Sequence, residues 1–186
     1  MKKIIIILIL TITTSHAFSQ DVDIDQTQKI TFGIKAGFNS VQMKVVSSSS
    51  DNVQKRSGVY AGIFVNIPTS DIFSLQPEVI YSSSEFIGRN NMNFLHVPVL
   101  LNFKLSNDIT GFFGPEAQFL LDLGDTANND LFNDFLFGFT FGANFKITPN
   151  IYLEARPYFA FTKFLEDDSG YRTFNTLQIG LAYKFN

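Results

Sequence analysis

Nine side chains carry most of the chemistry this sequence could support: Lys35, Glu78, His96, Lys104, Glu116, Lys146, Glu154, Arg156 and Lys184. Each lies within a run in which apolar residues occupy every second position, as in Phe113-Gly114-Pro115-Glu116-Ala117. Charges spaced in this way serve one of two ends. They line a path for a polar solute, or they form an internal network of ion pairs and hydrogen bonds. Arg156 is the natural hub of such a network, because a guanidinium can hold two carboxylates in one planar fork and Glu78, Glu116 and Glu154 are on offer. Gln76, Gln118, Gln178, Tyr60 and Tyr158 fall in the same alternating positions.

Other chemistries find little support. His96 is the single histidine after residue 20, and no Ser-containing nucleophile elbow, phosphate loop or zinc constellation accompanies it. The chain has no Cys, which excludes a disulfide framework and thiolate metal ligands. Glu166-Asp167-Asp168 reads as a solvated acidic loop, since no spaced set of oxygen ligands for calcium surrounds it. A net charge of −3 with no basic face argues against a nucleic-acid partner. No cofactor, metal or catalytic residue is expected.

The positioning elements begin after an address segment. Lys2 and Lys3 precede an apolar run over Ile4 to Ile12, and Ala17 and Ser19 supply small residues at a cut before Gln20, with a cut after Ala17 as the alternative. Residues 1–19 are therefore expected to be a cleaved signal peptide, leaving 20–186 as one domain. Removal of the two lysines takes the net charge from −3 to −5. No later stretch reaches the roughly 18 apolar residues of a membrane helix, so an exported protein of this kind is either soluble or spans a membrane as a closed barrel.

The remainder is written with a period of two. Ile34, Ala36 and Phe38 alternate with Lys35, Gly37 and Asn39. Phe137, Phe139 and Phe141 alternate with Gly138, Thr140 and Gly142. Eight such runs begin near residues 30, 59, 73, 95, 109, 137, 151 and 177, and none carries a charge on its apolar face. Alternate side chains of a strand point to opposite faces, so these are eight strands. Three connections are tight: Pro68-Thr69-Ser70-Asp71, Ser106-Asn107-Asp108 and Thr148-Pro149-Asn150. The other four, over 41–57, 83–93, 122–134 and 163–172, read as longer polar loops.

Short turns at one end and long loops at the other are the mark of an up-and-down transmembrane barrel of eight antiparallel strands, an all-β fold. A soluble lipocalin-like barrel shows the same period with its apolar face turned inward. Three features favour the membrane form. Charges occupy strand centres on the polar face, glycine is frequent there (33, 37, 62, 114, 138, 142 and 180), and the apolar face is rich in the 22 Phe, with Tyr81 and Tyr183 near strand ends. Pro77, Pro98, Pro115 and Pro157 sit awkwardly within these strands, where proline deletes a ladder hydrogen bond.

Gln76-Pro77-Glu78-Val79-Ile80-Tyr81 followed by His96-Val97-Pro98-Val99-Leu100-Leu101-Asn102-Phe103 resembles the paired strand motif of the PorT-like outer-membrane barrels of Bacteroidetes. Gly114-Pro115-Glu116, Glu154-Ala155-Arg156 and the closing Gly180-Leu181-Ala182-Tyr183-Lys184-Phe185 are similar to its later elements. Asn102 departs from the family's usual lysine, and Asn186 displaces the terminal aromatic signal by one position. The resemblance implies an outer-membrane barrel with lipid and the barrel-assembly machinery as partners. It does not imply the secretion role of the family's namesake.

An eight-stranded barrel has an interior just wide enough for its own side chains, so the nine residues above are expected to fill the lumen as a structural network. Lipid A acyltransferases and deacylases use His with Ser or acids near the outer rim, whereas the alternation points His96 into the barrel. The expected function is structural or interactive, without catalysis, with four loops presented outside to a ligand of unknown identity. A narrow solute channel and an exported soluble carrier of an apolar ligand are the alternatives.

Overall fold

The computed structural model describes residues 29–47, 50–85, 91–122, 133–162, 165–167 and 170–185. The expected signal peptide lies outside them. Nine strands follow in chain order: β1 (Thr31–Ser47), β2 (Ser50–Pro68), β3 (Phe73–Glu85), β4 (Asn91–Lys104), β5 (Ile109–Asp122), β6 (Phe135–Lys146), β7 (Ile151–Ala160), β8 (Leu165–Asp167) and β9 (Gly170–Phe185). Each pairs antiparallel with its neighbour, and β1 pairs with β9 from Phe32↔Phe185 to Ser47↔Gly170, which closes the sheet into a barrel. β8 continues the lane of β7 along β9, pairing Leu165 with Arg172 where β7 ended on Phe159↔Asn175. The barrel therefore has eight lanes.

Three tight turns join β2 to β3, β4 to β5 and β6 to β7 at one rim, the turn end. Each is closed by local hydrogen bonds such as Ser70 N→Phe73 O at 3.1 Å and Ser106 N→Ile109 O at 3.0 Å. At the opposite rim, the hairpin end, one expectation needs correction. Residues 41–47 and 50–57 are strand and not loop: β1 runs to Ser47 and β2 starts at Ser50, in a register that continues through Val41↔Arg56. Much of 83–93 and 163–172 is likewise strand. The reason is local, because polar residues in a hairpin satisfy the same backbone ladder as apolar ones and the sheet continues beyond its hydrophobic belt.

That belt faces outward. Phe32, Phe38, Ile63, Val79, Phe113, Phe141, Phe159, Ile179 and Leu181 are all exposed. Its outward apolar positions run from Ile30, just before β1, to Phe38 in β1, from Phe73 to Tyr81 in β3, Leu95 to Phe103 in β4 and Leu177 to Phe185 in β9, nine residues in each case. A tilted strand needs about 9–11 residues to cross a bilayer. Phenylalanine rings pair along the wall, with Phe141 stacked on Phe159 at 5.9 Å between centroids and Phe113 lying 6.0 Å from Phe103 and 6.1 Å from Phe139. Tyr81 and Tyr183 stand at opposite edges of the belt, where amphipathic rings suit a headgroup layer.

Beyond the belt, towards the hairpin end, polarity changes sides. Gln42, Lys44, Lys55 and Glu85 face outward, while Val41, Met43, Met92, Phe94, Leu136 and Phe174 pack inside as a buried cluster. Phe94 meets Phe174 edge-on at 6.2 Å. The inversion has a solvent origin. Within lipid the apolar side chains must face out, whereas above it water is outside and they must face in.

The prolines find a common explanation. Beside Pro77 the β2–β3 ladder passes from Phe64↔Glu78 to Ile67↔Leu75, and beside Pro98 the β3–β4 ladder passes from Ile80↔His96 to Pro77↔Val99. Beside Pro115 the β4–β5 ladder passes from Pro98↔Glu116 to Leu101↔Phe113, and beside Pro157 the β6–β7 ladder passes from Thr140↔Tyr158 to Ala143↔Ala155. In each case two rungs are missing towards the preceding strand while the register is kept. The other side of the same proline stays paired: Pro77 with Val99, Pro98 with Glu116, Pro115 with Phe139 and Pro157 with Leu177. The missing N–H is thus confined to one edge of one strand. On the inner wall Gly37 pairs with Gly180, and a Cβ on Gly180 would meet the Tyr60 hydroxyl, so glycine gives that ring its room.

Candidate functional site

The alternation that sends Phe and Ile outward sends Lys35, Glu78, His96, Glu116, Glu154 and Arg156 inward from β1, β3, β4, β5 and β7, each at most 3% exposed. Lys35 Nζ lies 2.8 Å from Glu78 Oε1 and 2.6 Å from Glu154 Oε2. Arg156 Nη1 donates to Glu78 Oε2 at 2.6 Å and approaches Glu154 Oε1 at 3.5 Å, while its Nη2 lies 3.6 Å from Glu116 Oε2. Each cation also has an aromatic face beside it: Phe64 is 5.3 Å from Lys35 Nζ, and Phe112 is 5.7 Å from the Arg156 guanidinium carbon. Glutamines complete the carboxylate shells, Gln76 Nε2→Glu78 Oε1 at 2.7 Å and Gln118 Nε2→Glu116 Oε1 at 2.8 Å.

The third carboxylate is shared with histidine. His96 Nδ1 is 2.9 Å from Glu116 Oε1, and Ser82 Oγ is 2.7 Å from His96 Nε2. The Ser-His-Glu order matches that of a nucleophile, base and orienting acid. Its surroundings do not, since Ser82 and His96 are each 2% exposed and Phe94 lies edge-on to the imidazole at 6.1 Å. The serine has no opening through which an acyl group could reach it.

Three of the nine residues do not join this network. Lys104 and Lys146 are exposed and Lys184 half-buried, and all three line an open cavity of about 270 Å³ at the turn end. Their strands carry them past the narrow middle of the barrel to its mouth, where water can solvate an ammonium. Lys184 Nζ lies 5.0 Å from the Tyr152 ring centre. The polar residues missed by charge-based reasoning are Ser82 and the chain Asn66–Ser74–Asn102, which ends on the expected Gln76, the links being 2.7, 3.2 and 2.9 Å. Their inward parity was the available signal. The Glu166–Asp168 stretch has no described side chains, and among the described residues no cluster of His, Asp and Glu could hold a metal.

The lumen therefore has three layers: an open polar vestibule at the turn end, a sealed ion-pair belt in the middle and an apolar plug at the hairpin end. A closed antiparallel sheet that is apolar outside, charged within and tightly turned at one rim is a transmembrane β-barrel of the outer membrane. The sequence profile of the outer membrane protein beta-barrel domain matches residues 18–166, and the chain belongs to that family. Among solved structures, Neisserial surface protein A is similar over 85% of this chain and 100% of its own, at 16% identity and a TM-score of 0.55. Ail, the attachment invasion locus protein of Yersinia pestis, is similar over 83% of this chain and 98% of its own, at 14% identity and a TM-score of 0.50. No curated protein matches the sequence. The chain is an outer-membrane protein.

Proposed function

We propose that this barrel is a non-enzymatic anchor that holds water-exposed β-hairpins outside the cell on a sealed lumen, in a structural or interaction role. The observation that carries this reading is the closure of the lumen in series. Arg156 and Glu154, each 1% exposed, occupy the middle, and Leu136, 0% exposed, belongs to the plug beyond them. A solute path would have to break a charged network and then cross an apolar one. The burial of Ser82 and His96 argues likewise against hydrolysis.

Further parts of the reading rest on the sequence. Residues 1–19 form a signal peptide removed on export, the barrel-assembly machinery inserts the mature chain, and the paired Gln76–Tyr81 and His96–Phe103 motifs relate it to the PorT-like barrels of Bacteroidetes. Reconstitution of the folded protein into planar lipid bilayers tests the sealed lumen. The expected record is silent at potentials up to those that break the membrane. Discrete, reproducible conductance steps would replace the anchor with a narrow channel.

A further inference from the structure

The vestibule at the turn end has features that a merely hydrated mouth does not require. Among the described residues, the ammonium groups of Lys104, Lys146 and Lys184 line it without an ion-pair partner. Register spreads them round the mouth at one level: Lys104 on β4 pairs with Thr110 of β5, Lys146 on β6 with Tyr152 of β7, and Tyr152 in turn with Ala182, two residues before Lys184 on β9, so that Lys104 and Lys184 stand on opposite sides of the vestibule with Lys146 between them. Asp71 and Asp108 are exposed on the rim turns. Glu154 reaches the wall from within, but its carboxylate is held by Lys35 and Arg156 and is not free to repel an incoming anion.

The same cavity offers hydrogen-bond acceptors. Asn102, 4% exposed, turns its Nδ2 to the oxygens of Asn66, Ser74 and Gln76 at 3.1, 3.2 and 2.9 Å, so the orientation of its amide is fixed. Its Oδ1 and the Oδ1 of Asn144 have no hydrogen-bond partner. Buried amide oxygens left unpaired carry a penalty that a ligand hydroxyl would relieve. The Tyr152 ring beside Lys184 adds a flat apolar face. At about 270 Å³ the space lies below the range of drug-sized pockets.

We propose that this vestibule binds a small anionic polyol, a hydroxyl-bearing carboxylate of sugar-acid type, from the periplasmic side. The lysines take the anionic group, and the asparagine oxygens accept hydrogen bonds from its hydroxyls. The site is a dead end above which the ion-pair belt is closed, so it is a receptor pocket on the barrel's inner rim and independent of the hairpins on the other face.

The test uses the full-length barrel folded in detergent micelles, titrated calorimetrically with gluconate, with sorbitol as the uncharged polyol and with inorganic phosphate as the anion without the polyol. Gluconate is expected to bind with an affinity that falls as salt is raised, sorbitol not to bind, and phosphate to bind more weakly than gluconate. Lys146→Gln and Lys104→Gln, both at exposed positions that leave the fold intact, are expected to weaken gluconate by about tenfold or more, the scale of one lost charge-assisted hydrogen bond. Absence of gluconate binding, or binding by both variants as tight as by the unsubstituted barrel, would overturn the site. Phosphate binding as tightly as gluconate would overturn the polyol assignment.

Discussion

Arg156→Ala is expected to destabilise the barrel by about 3–5 kcal/mol, the scale seen when one partner of a buried ion pair is removed and its counter-charge is left behind. The loss is large here because one guanidinium serves three acids. Glu78 at 2.6 Å, Glu154 at 3.5 Å and Glu116 at 3.6 Å would share a closed space with Lys35 as the one remaining permanent cation. Arg156→Lys is expected to fall between, since a lysine keeps the charge but cannot fork between acids. A double variant that also converts Glu78 to Gln is expected to recover part of the loss by removing a stranded charge. The measurement is the temperature at which folded barrel converts to unfolded chain in detergent. An unchanged midpoint for Arg156→Ala would show that the ion-pair belt is not a structural unit.

The second large effect concerns the outside of the wall. Phe141 lies near the middle of β6, 47% exposed, with its ring stacked on Phe159. Phe141→Arg is expected to cost about 2–4 kcal/mol in lipid, as a charge on the lipid face of a barrel does at the bilayer midplane. Gln42→Arg, outward on β1 beyond the belt, is expected to cost almost nothing because water already covers that position. Folding titrations of both variants into phospholipid vesicles give the comparison. Equal stabilities would mean that the belt is not the lipid contact.

Much of this architecture was legible from one strand period. The parity of Lys35, Glu78, His96, Glu116, Glu154 and Arg156 against Ile34, Val79, Val97, Ala117, Ala155 and Pro157 was enough to put all six on one face, because the fold has only two faces to choose between. The limit came where the solvent changed. In β1 the apolar positions are even up to Phe38 and odd from Val41, and in β4 they are even at Met92 and Phe94 but odd from Leu95. A search for one constant parity therefore ends the strand at the membrane boundary and reads 41–57 as a loop. The switch itself was a readable signal of where the belt stops.

Parity also fixes a side and not a depth. Lys104, Lys146 and Lys184 share the inward face with Arg156, but strand position carries them to the open mouth, and only the register of neighbouring lanes shows this. The prolines were opaque for a related reason. Whether a missing N–H matters depends on which neighbour it faces, and that is a property of pairing, which a single strand does not reveal. Ser82 was invisible as a partner of His96 because β3 and β4 had first to be set in register at Ile80↔His96.

Among the described residues the barrel wall is closed, with no open seam from Phe32↔Phe185 round to Ile151↔Tyr183. The most direct test of that closure is the electrophoretic mobility of the full-length protein from the outer-membrane fraction, boiled and unboiled in mild detergent. A faster, compact band is expected in the unboiled lane, moving to the position of the unfolded chain on boiling. A single band at that position under both conditions would contradict closure of β1 on β9.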